Sequence, residues 1–296
     1  MILSEGGNIW PESEDYEQTP ENIAAIKNAA EAVLSEIGVE LFLIGSGANP
    51  KAKVYTEDEL GKSVYIGDYY YNSRMFKPTK EGKELGHNSG ELPPDAKVVP
   101  KKSGDLDLMG EIDTVANFFN EQDPKKIRAA LAQYLEQQGI QTYRAGVTVH
   151  VLVPVGDKFY QVDIKAIKKA GKVSKFHHHD LPPGSPYKGV NKQMMMNTLA
   201  TMKGFLWSPD EGLYQRDAAG KKGDLLTDDL DEIAEYLLGV KDGSLLGSVE
   251  SIMDAIPDPQ TRQAVFDKAK ASASWQAATP NVGTNEWFSA IRRMLK

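Results

Sequence analysis

Hydrophobic and polar positions alternate with two distinct periods along the first half of the chain. Ile23, Ile26, Ala30, Val33, Leu34 and Ile37 recur at helical spacing. Thr19-Pro20-Glu21 supplies a cap, a first-turn proline and an acid near the N-terminus, and Gly38 marks the stop. Val39 to Ile44 then predicts a short strand ending in Gly45-Ser46-Gly47. Residues 48–102, rich in Lys, Gly, Pro and Tyr, read as a long insertion with little regular structure. A strand follows in "SGDLDLMGEID", then a helix opened by Asp123-Pro124 and closed by Gly139. "TYRAGVTVHVLVPV" and "KFYQVDIKAI" are rich in β-branched and aromatic residues, and the Gly156-Asp157 turn between them predicts a hairpin.

From about residue 188 the pattern turns helical. Candidate helices are "KGVNKQMMMNTLATMKGFLW", "TDDLDEIAEYLLG" with Thr227 as cap and Gly239 as stop, "SLLGSVESIMDAI", "DPQTRQAVFDKAKASASW" and "NEWFSAIRRML". The expected fold class is α+β, a mixed sheet with helices over residues 1–187 followed by a helical C-terminal domain over 188–296.

The strand "DLDLM" poses a chemical problem. Residues i and i+2 of a strand point the same way, so Asp105 and Asp107 project together while Leu106 and Leu108 take the buried face. Two ionised carboxylates so placed repel each other, and a divalent cation removes that cost. Magnesium takes hard oxygen ligands, one or two carboxylates with waters and substrate phosphates. Asp163, alone between Val162 and Ile164, offers a third acid if its strand lies beside that of Asp105. Three acids can hold two magnesium ions, which activate a hydroxyl and stabilise a leaving oxygen at phosphorus.

"LIGSG", "SGDLDLM" and "YQVDI" together resemble the polymerase-β-type nucleotidyltransferase superfamily, over residues 20–170 and more weakly in "SPYKGVNKQ". There is also a likeness to bacteriophage-encoded nucleotidyltransferases. The resemblance implies a nucleotidyltransferase-type fold. It implies that Gly45 and Ser46 hold a nucleoside triphosphate such as ATP, that Asp105 and Asp107 bind both magnesium (or manganese) ions, and that Asp163 binds the catalytic one. It implies transfer of a nucleoside monophosphate to a hydroxyl acceptor with release of pyrophosphate. The acceptor classes left open are an RNA end, a protein, a small molecule and another nucleotide. The alternatives are a non-catalytic member with a structural or virion-associated scaffold role, and a toxin- or signalling-type transferase. About 55 residues separate the Gly-Ser turn from the acids, where the superfamily has a short helix. Ser103 and Gly104, beside the acids, are therefore second candidates for the phosphate role.

Composition narrows the rest. There are no cysteines, so disulfides, iron–sulfur clusters and thiolate zinc sites are excluded. With no signal-peptide pattern and no apolar run near a membrane span, a cytoplasmic protein is expected, in the host cytoplasm if phage-encoded, with no membrane partner. A net charge of −8 argues against wholesale coating of nucleic acid but leaves local basic patches open. One such patch is "KAIKKAGKVSK", residues 165–175, read as a solvated loop or a basic wall near Asp163. Lys188 and Lys192, four apart at a helix start, share a face and are candidates to grip β- and γ-phosphates. His177-His178-His179 converge poorly as zinc ligands and suit a polar loop better. Met194 to Met196 read as core, and Tyr69 to Tyr71 as loop packing or a base-stacking group.

Overall fold

A computed structural model describes residues 9–58, 60–177, 182–183 and 185–278. The chain divides into two compact units, at Lys175/Phe176 rather than the expected 187/188.

The N-terminal unit is built on a five-stranded mixed sheet. Strand β1 (Tyr16–Glu17) leads into helix α1 (Pro20–Val33), β2 (Leu41–Leu43) and the short turn α2 (Gly45–Ala48). Thr19 caps α1 as its sequence predicts, its side chain accepting from the Asn22 amide. An inserted region follows: β3 (Lys51–Glu57), β4 (Ser63–Tyr70), β5 (Met75–Pro78), α3 (Lys80–Glu84) and β6 (Lys97–Pro100). The chain returns through β7 (Lys102–Ser103), β8 (Asp105–Glu111), α4 (Ile112–Phe119), α5 (Pro124–Gln137), β9 (Thr142–Ala145), β10 (Thr148–Val155), β11 (Lys158–Ile167) and α6 (Ala170–His177).

The main sheet runs β2-β8-β11-β10-β9. The β8–β11 pair is parallel and the others antiparallel. The three strands expected to adjoin, those of the Gly-Ser turn, the acid pair and Asp163, are thus neighbours in one sheet. The core lies between this sheet and α1, α4 and α5, with Ile23, Ile26, Leu106, Leu108, Leu131, Val151 and Val162 all buried. At about 25 cal/mol per Å² of apolar surface, this burial is the main force holding the acid-bearing strand in place.

The insertion is not irregular, as its composition suggested. It forms a four-stranded antiparallel sheet in the order β5-β4-β3-β6 with its own small core of Val54, Ile66 and Phe76. The period-2 alternation of Lys51-Ala52-Lys53-Val54-Tyr55 buries Ala52 and Val54 and turns the lysines outward. "TYRAGVTVHVLVPV", expected as one strand, folds back at Gly146, whose φ of +58° suits a turn, to give β9 and β10.

The C-terminal unit holds α7 (Gly189–Met202), a three-stranded antiparallel sheet of β12 (Phe205–Ser208), β13 (Gly212–Arg216) and β14 (Lys222–Thr227), and then α8 (Leu230–Leu238), a 3₁₀ turn (Gly243–Leu246), α9 (Val249–Ala255), α10 (Pro259–Lys270) and α11 (Ala273–Ala278). The molecule is thus α+β with a largely helical C-terminal region. The expected all-helical reading missed β12 to β14, because "FLW" continues the apolar run of α7 beyond the Gly204 break. Asp229, not Thr227, caps α8; Thr227 instead accepts from the Asp229 amide. Gly239 closes that helix at φ +80° as expected. Met195 and Met196 are core residues, and Trp275 packs against Tyr187 and Phe266. The candidate helix at 285–295 lies outside the described residues.

Among the described residues no helix is long and apolar enough to cross a membrane.

Candidate functional site

The acid pair sits where alternation puts it. Leu106 and Leu108 of β8 are fully buried on one face, and Asp105 and Asp107 project from the other. The parallel register sets Asp163 of β11 beside Asp107 and Gln161 beside Asp105. The three carboxylates therefore share one face of two adjacent strands, with Lys165 two residues further along β11.

Their electrostatics show the cost of this crowding. Burial, then the charge of Asp163, raises the Asp105 carboxyl, with Ser103 opposing. Burial, then the charge of Asp105, pushes Asp107 up to about 7; Lys165 works in the other direction.

Asp163 is held by its neighbours. Its Oδ1 lies 2.7 Å from His150 Nδ1 and accepts from Gln161 Nε2 at 2.9 Å. His150 is its direct partner across the β10–β11 hairpin and stacks on Tyr143 at 5.9 Å between ring centroids. Gln161 is itself fixed: its Oε1 accepts from the Ile9 backbone N–H, and its own backbone N–H donates to Ser13 Oγ. Neither His150 nor Gln161 was singled out from the sequence. The signal was present in the hairpin: counting back from a two-residue Gly156-Asp157 turn pairs Val155 with Lys158 and hence His150 with Asp163.

The glycine turn reaches the acids despite the insertion. The Ile44 amide donates to the Asp107 carbonyl at 3.2 Å. Gly45 has φ +59°, and a Cβ there would stand 3.0 Å from Asp107 Oδ2. At Gly47 a Cβ would lie 2.7 Å from Leu106 Cδ1. Both glycines are thus needed for α2 to lie against β8. Ser46 is exposed, and its Oγ accepts from Gln18 Nε2 at 2.8 Å, which leaves its own O–H to donate elsewhere. Gly45→Ala combines left-handed strain with crowding of a carboxylate. It should cost about 1–2 kcal/mol, read as a fall of a few degrees in melting temperature.

Ser103 and Gly104 lie at the entry to β8. Ser103 Oγ donates to the Asp105 carbonyl at 3.0 Å, and the buried Tyr16 hydroxyl donates to the same oxygen at 3.1 Å. Ser103 thus orients Asp105.

The basic residues divide. Lys165 shares the acid face, whereas Lys172 and Lys175 lie on α6, so residues 165–175 are not a single loop. The Lys169 and Ala170 amides at the start of α6 donate to the Glu111 carboxylate. Lys188 is exposed at the N-cap of α7. Lys192 departs from the surface position expected of it. It is buried, its Nζ donates to the Phe176 carbonyl at 2.9 Å, and burial pulls its pKa down to about 8. Lys188 precedes the first helical residue of α7 and has extended backbone, so the two lysines do not share the expected face. His177 ends α6 with Nε2 3.0 Å from Asp210 Oδ1; His178 and His179 lie outside the described residues.

Among the described residues, no group of three or more His, Asp or Glu side chains is arranged to hold a metal ion. The donor chemistry nevertheless fits a hard divalent cation. Three carboxylates share one face, and two are raised by burial and then by the charge of a neighbouring carboxylate, a repulsion that a cation would offset. The His150 bond to Asp163 is what such a cation would have to compete with. No family model, curated protein or solved structure matches the chain.

Proposed function

We propose that the protein is a divalent-metal-dependent nucleotidyltransferase that moves a nucleoside monophosphate from a nucleoside triphosphate to a hydroxyl acceptor and releases pyrophosphate. The observation that carries this reading is the placement of Asp105, Asp107 and Asp163 on one sheet face, with the Gly45-Ser46 turn packed directly against Asp107. In this reading Asp105 and Asp107 hold magnesium or manganese and Asp163 contributes through the oxygen not engaged by His150. Bound there, the cations supply positive charge that lowers the barrier to hydroxyl attack at phosphorus. The chain's own residues do the rest. The Ser46 O–H donates to a phosphate oxygen. Ser103 and Tyr16 fix the backbone of Asp105. His150 and Gln161 fix the rotamer of Asp163 so that its remaining oxygen faces the acceptor hydroxyl and takes its proton.

Incubation with each α-labelled triphosphate and magnesium, with RNA, protein and small-molecule acceptors in turn, tests this directly. Label transferred to one acceptor class, with pyrophosphate released in equal amount, is the expected result. No transfer and no metal-dependent nucleotide binding, with any acceptor, would return the fold to a scaffold role.

A further inference from the structure

The inserted sheet has two unlike faces. One covers the small core of Val54, Ile66 and Phe76. The strand registers place Lys51, Lys53 and Tyr55 of β3, Tyr65, Asp68 and Tyr70 of β4, Lys77 of β5 and Lys97 of β6 on the other, and alternation adds Lys101. Five lysines thus meet two acids at these positions, Asp68 and, at the edge, Glu57, in a chain whose overall charge is −8. Asp68 is buried beneath them, 2.9 Å from Lys51 Nζ and accepting from the Tyr65 hydroxyl at 2.8 Å. Lys51 and Lys77 both lie over the Tyr70 ring, at 5.3 and 4.6 Å, and Lys53 over Tyr65 at 5.5 Å. Burial, and then the charge of Lys51, lowers the pKa of Lys101, with Lys53 adding to the repulsion.

We infer that this lysine–tyrosine face binds single-stranded nucleic acid. Charge complementarity selects a polyanion. Lys51 is engaged by Asp68 and Lys101 is partly buried, so the cations at the surface are Lys53, Lys97 and, in part, Lys77. Alternate residues of a strand stand roughly 7 Å apart and neighbouring strands about 4.8 Å apart, so they are spread over three strands rather than gathered into a pocket for one anion. The half-buried rings of Tyr55 and Tyr65, 5.7 Å apart, lie among them. Aromatic rings set among cations on an open sheet suit unpaired bases with their phosphates. A duplex hides its base faces and gains nothing from the tyrosines. Binding on this face does not require the carboxylates of β8 and β11 to be catalytic.

Fluorescence anisotropy of a labelled 20-mer oligonucleotide against the full chain, over a range of salt, tests the inference. Lys53 and Lys97 are exposed, so the double variant K53A/K97A should fold normally. It should bind at least about tenfold more weakly, and its log–log salt slope should be shallower by about 1.4, the value for two lost contacts to a single strand. Tyr55→Ala should weaken the single strand roughly tenfold through lost stacking and leave any duplex binding unchanged. Failure of the wild type to bind at low salt would overturn the inference. So would variants with wild-type affinity and slope, or equal binding of duplex and single strand with no effect of Tyr55→Ala.

Discussion

If the proposed nucleotidyl transfer is right, Asp105→Asn and Asp107→Asn should each reduce it by about 10³-fold or more, with the fold intact. Asparagine keeps the shape of aspartate and removes one anionic ligand. Metal stabilisation of charge at a reacting phosphoryl group amounts to several kcal/mol, and each 1.36 kcal/mol is tenfold in rate. Loss of about 4 kcal/mol therefore gives the stated factor. Because Leu106 and Leu108 carry the packing of β8, neither substitution touches the core, and circular dichroism should be unchanged. Turnover of either variant at the wild-type rate would remove the carboxylate pair from the chemistry.

The same factor is not expected at the two residues that hold Asp163. His150 and Gln161 touch the acid cluster at Asp163 Oδ1, which keeps one bond if the other is lost. His150 otherwise acts on Asp105 and Asp107 only by its charge at a distance. Outer partners of metal ligands typically contribute 10–100-fold. The hierarchy expected at this site is therefore Asp105 and Asp107 first, with either partner of Asp163 well behind.

The acid strand was legible because its pattern carried two messages at once. Leu106 and Leu108 fixed which face is buried, so the two aspartates had only one place to go. Helix starts at Thr19-Pro20 and Asp123-Pro124 were legible because capping is local chemistry. What escaped is what depends on distant partners. The lysines, glycines and tyrosines of residues 48–102 mask the alternation of Ala52 and Val54 with Lys51 and Lys53; the facing core residues, Ile66 and Phe76, come from other strands. Lys192 read as a surface cation because a lysine's burial is decided by its acceptor, here the Phe176 carbonyl sixteen residues earlier. The return of Gly45 to Asp107 across the insertion was implied only by the resemblance, since sequence distance says nothing about which strand pairs with β8. Site residues carried by one strand's own alternation could be read; those assembled by pairing could be read only where a tight turn set the register, as for His150.

Asp107 should also make the stability of the metal-free protein depend on pH. Its carboxyl is pushed from 3.8 up to about 7, so the folded chain holds this proton more tightly than the unfolded chain does. Well below pH 3.8 both states are protonated and Asp107 costs nothing. As pH rises from there the unfolded chain releases its proton first, and stability falls until about pH 7, where the folded chain releases its own. One pKa unit corresponds to 1.36 kcal/mol, which sets a ceiling of about 4 kcal/mol. Residual exposure and sharing of the repulsion with Asp105 and Asp163 bring the cost nearer 2 kcal/mol. Asp107→Asn removes it. At pH 8 without metal the variant should therefore melt about 4–8 °C above the wild type, at 2–4 °C per kcal/mol for a chain of this size. The gap should narrow at pH 5 and nearly close by pH 4. Magnesium at pH 8 should raise the wild-type melting temperature and leave that of the variant much less changed, because the cation relieves the repulsion the substitution has already removed. Thermal melts of both proteins at pH 4, 5 and 8, with and without magnesium, supply the measurement. A variant that gains nothing at pH 8, or gains equally at every pH, would mean that the carboxylates on this face do not repel one another enough to call for a cation.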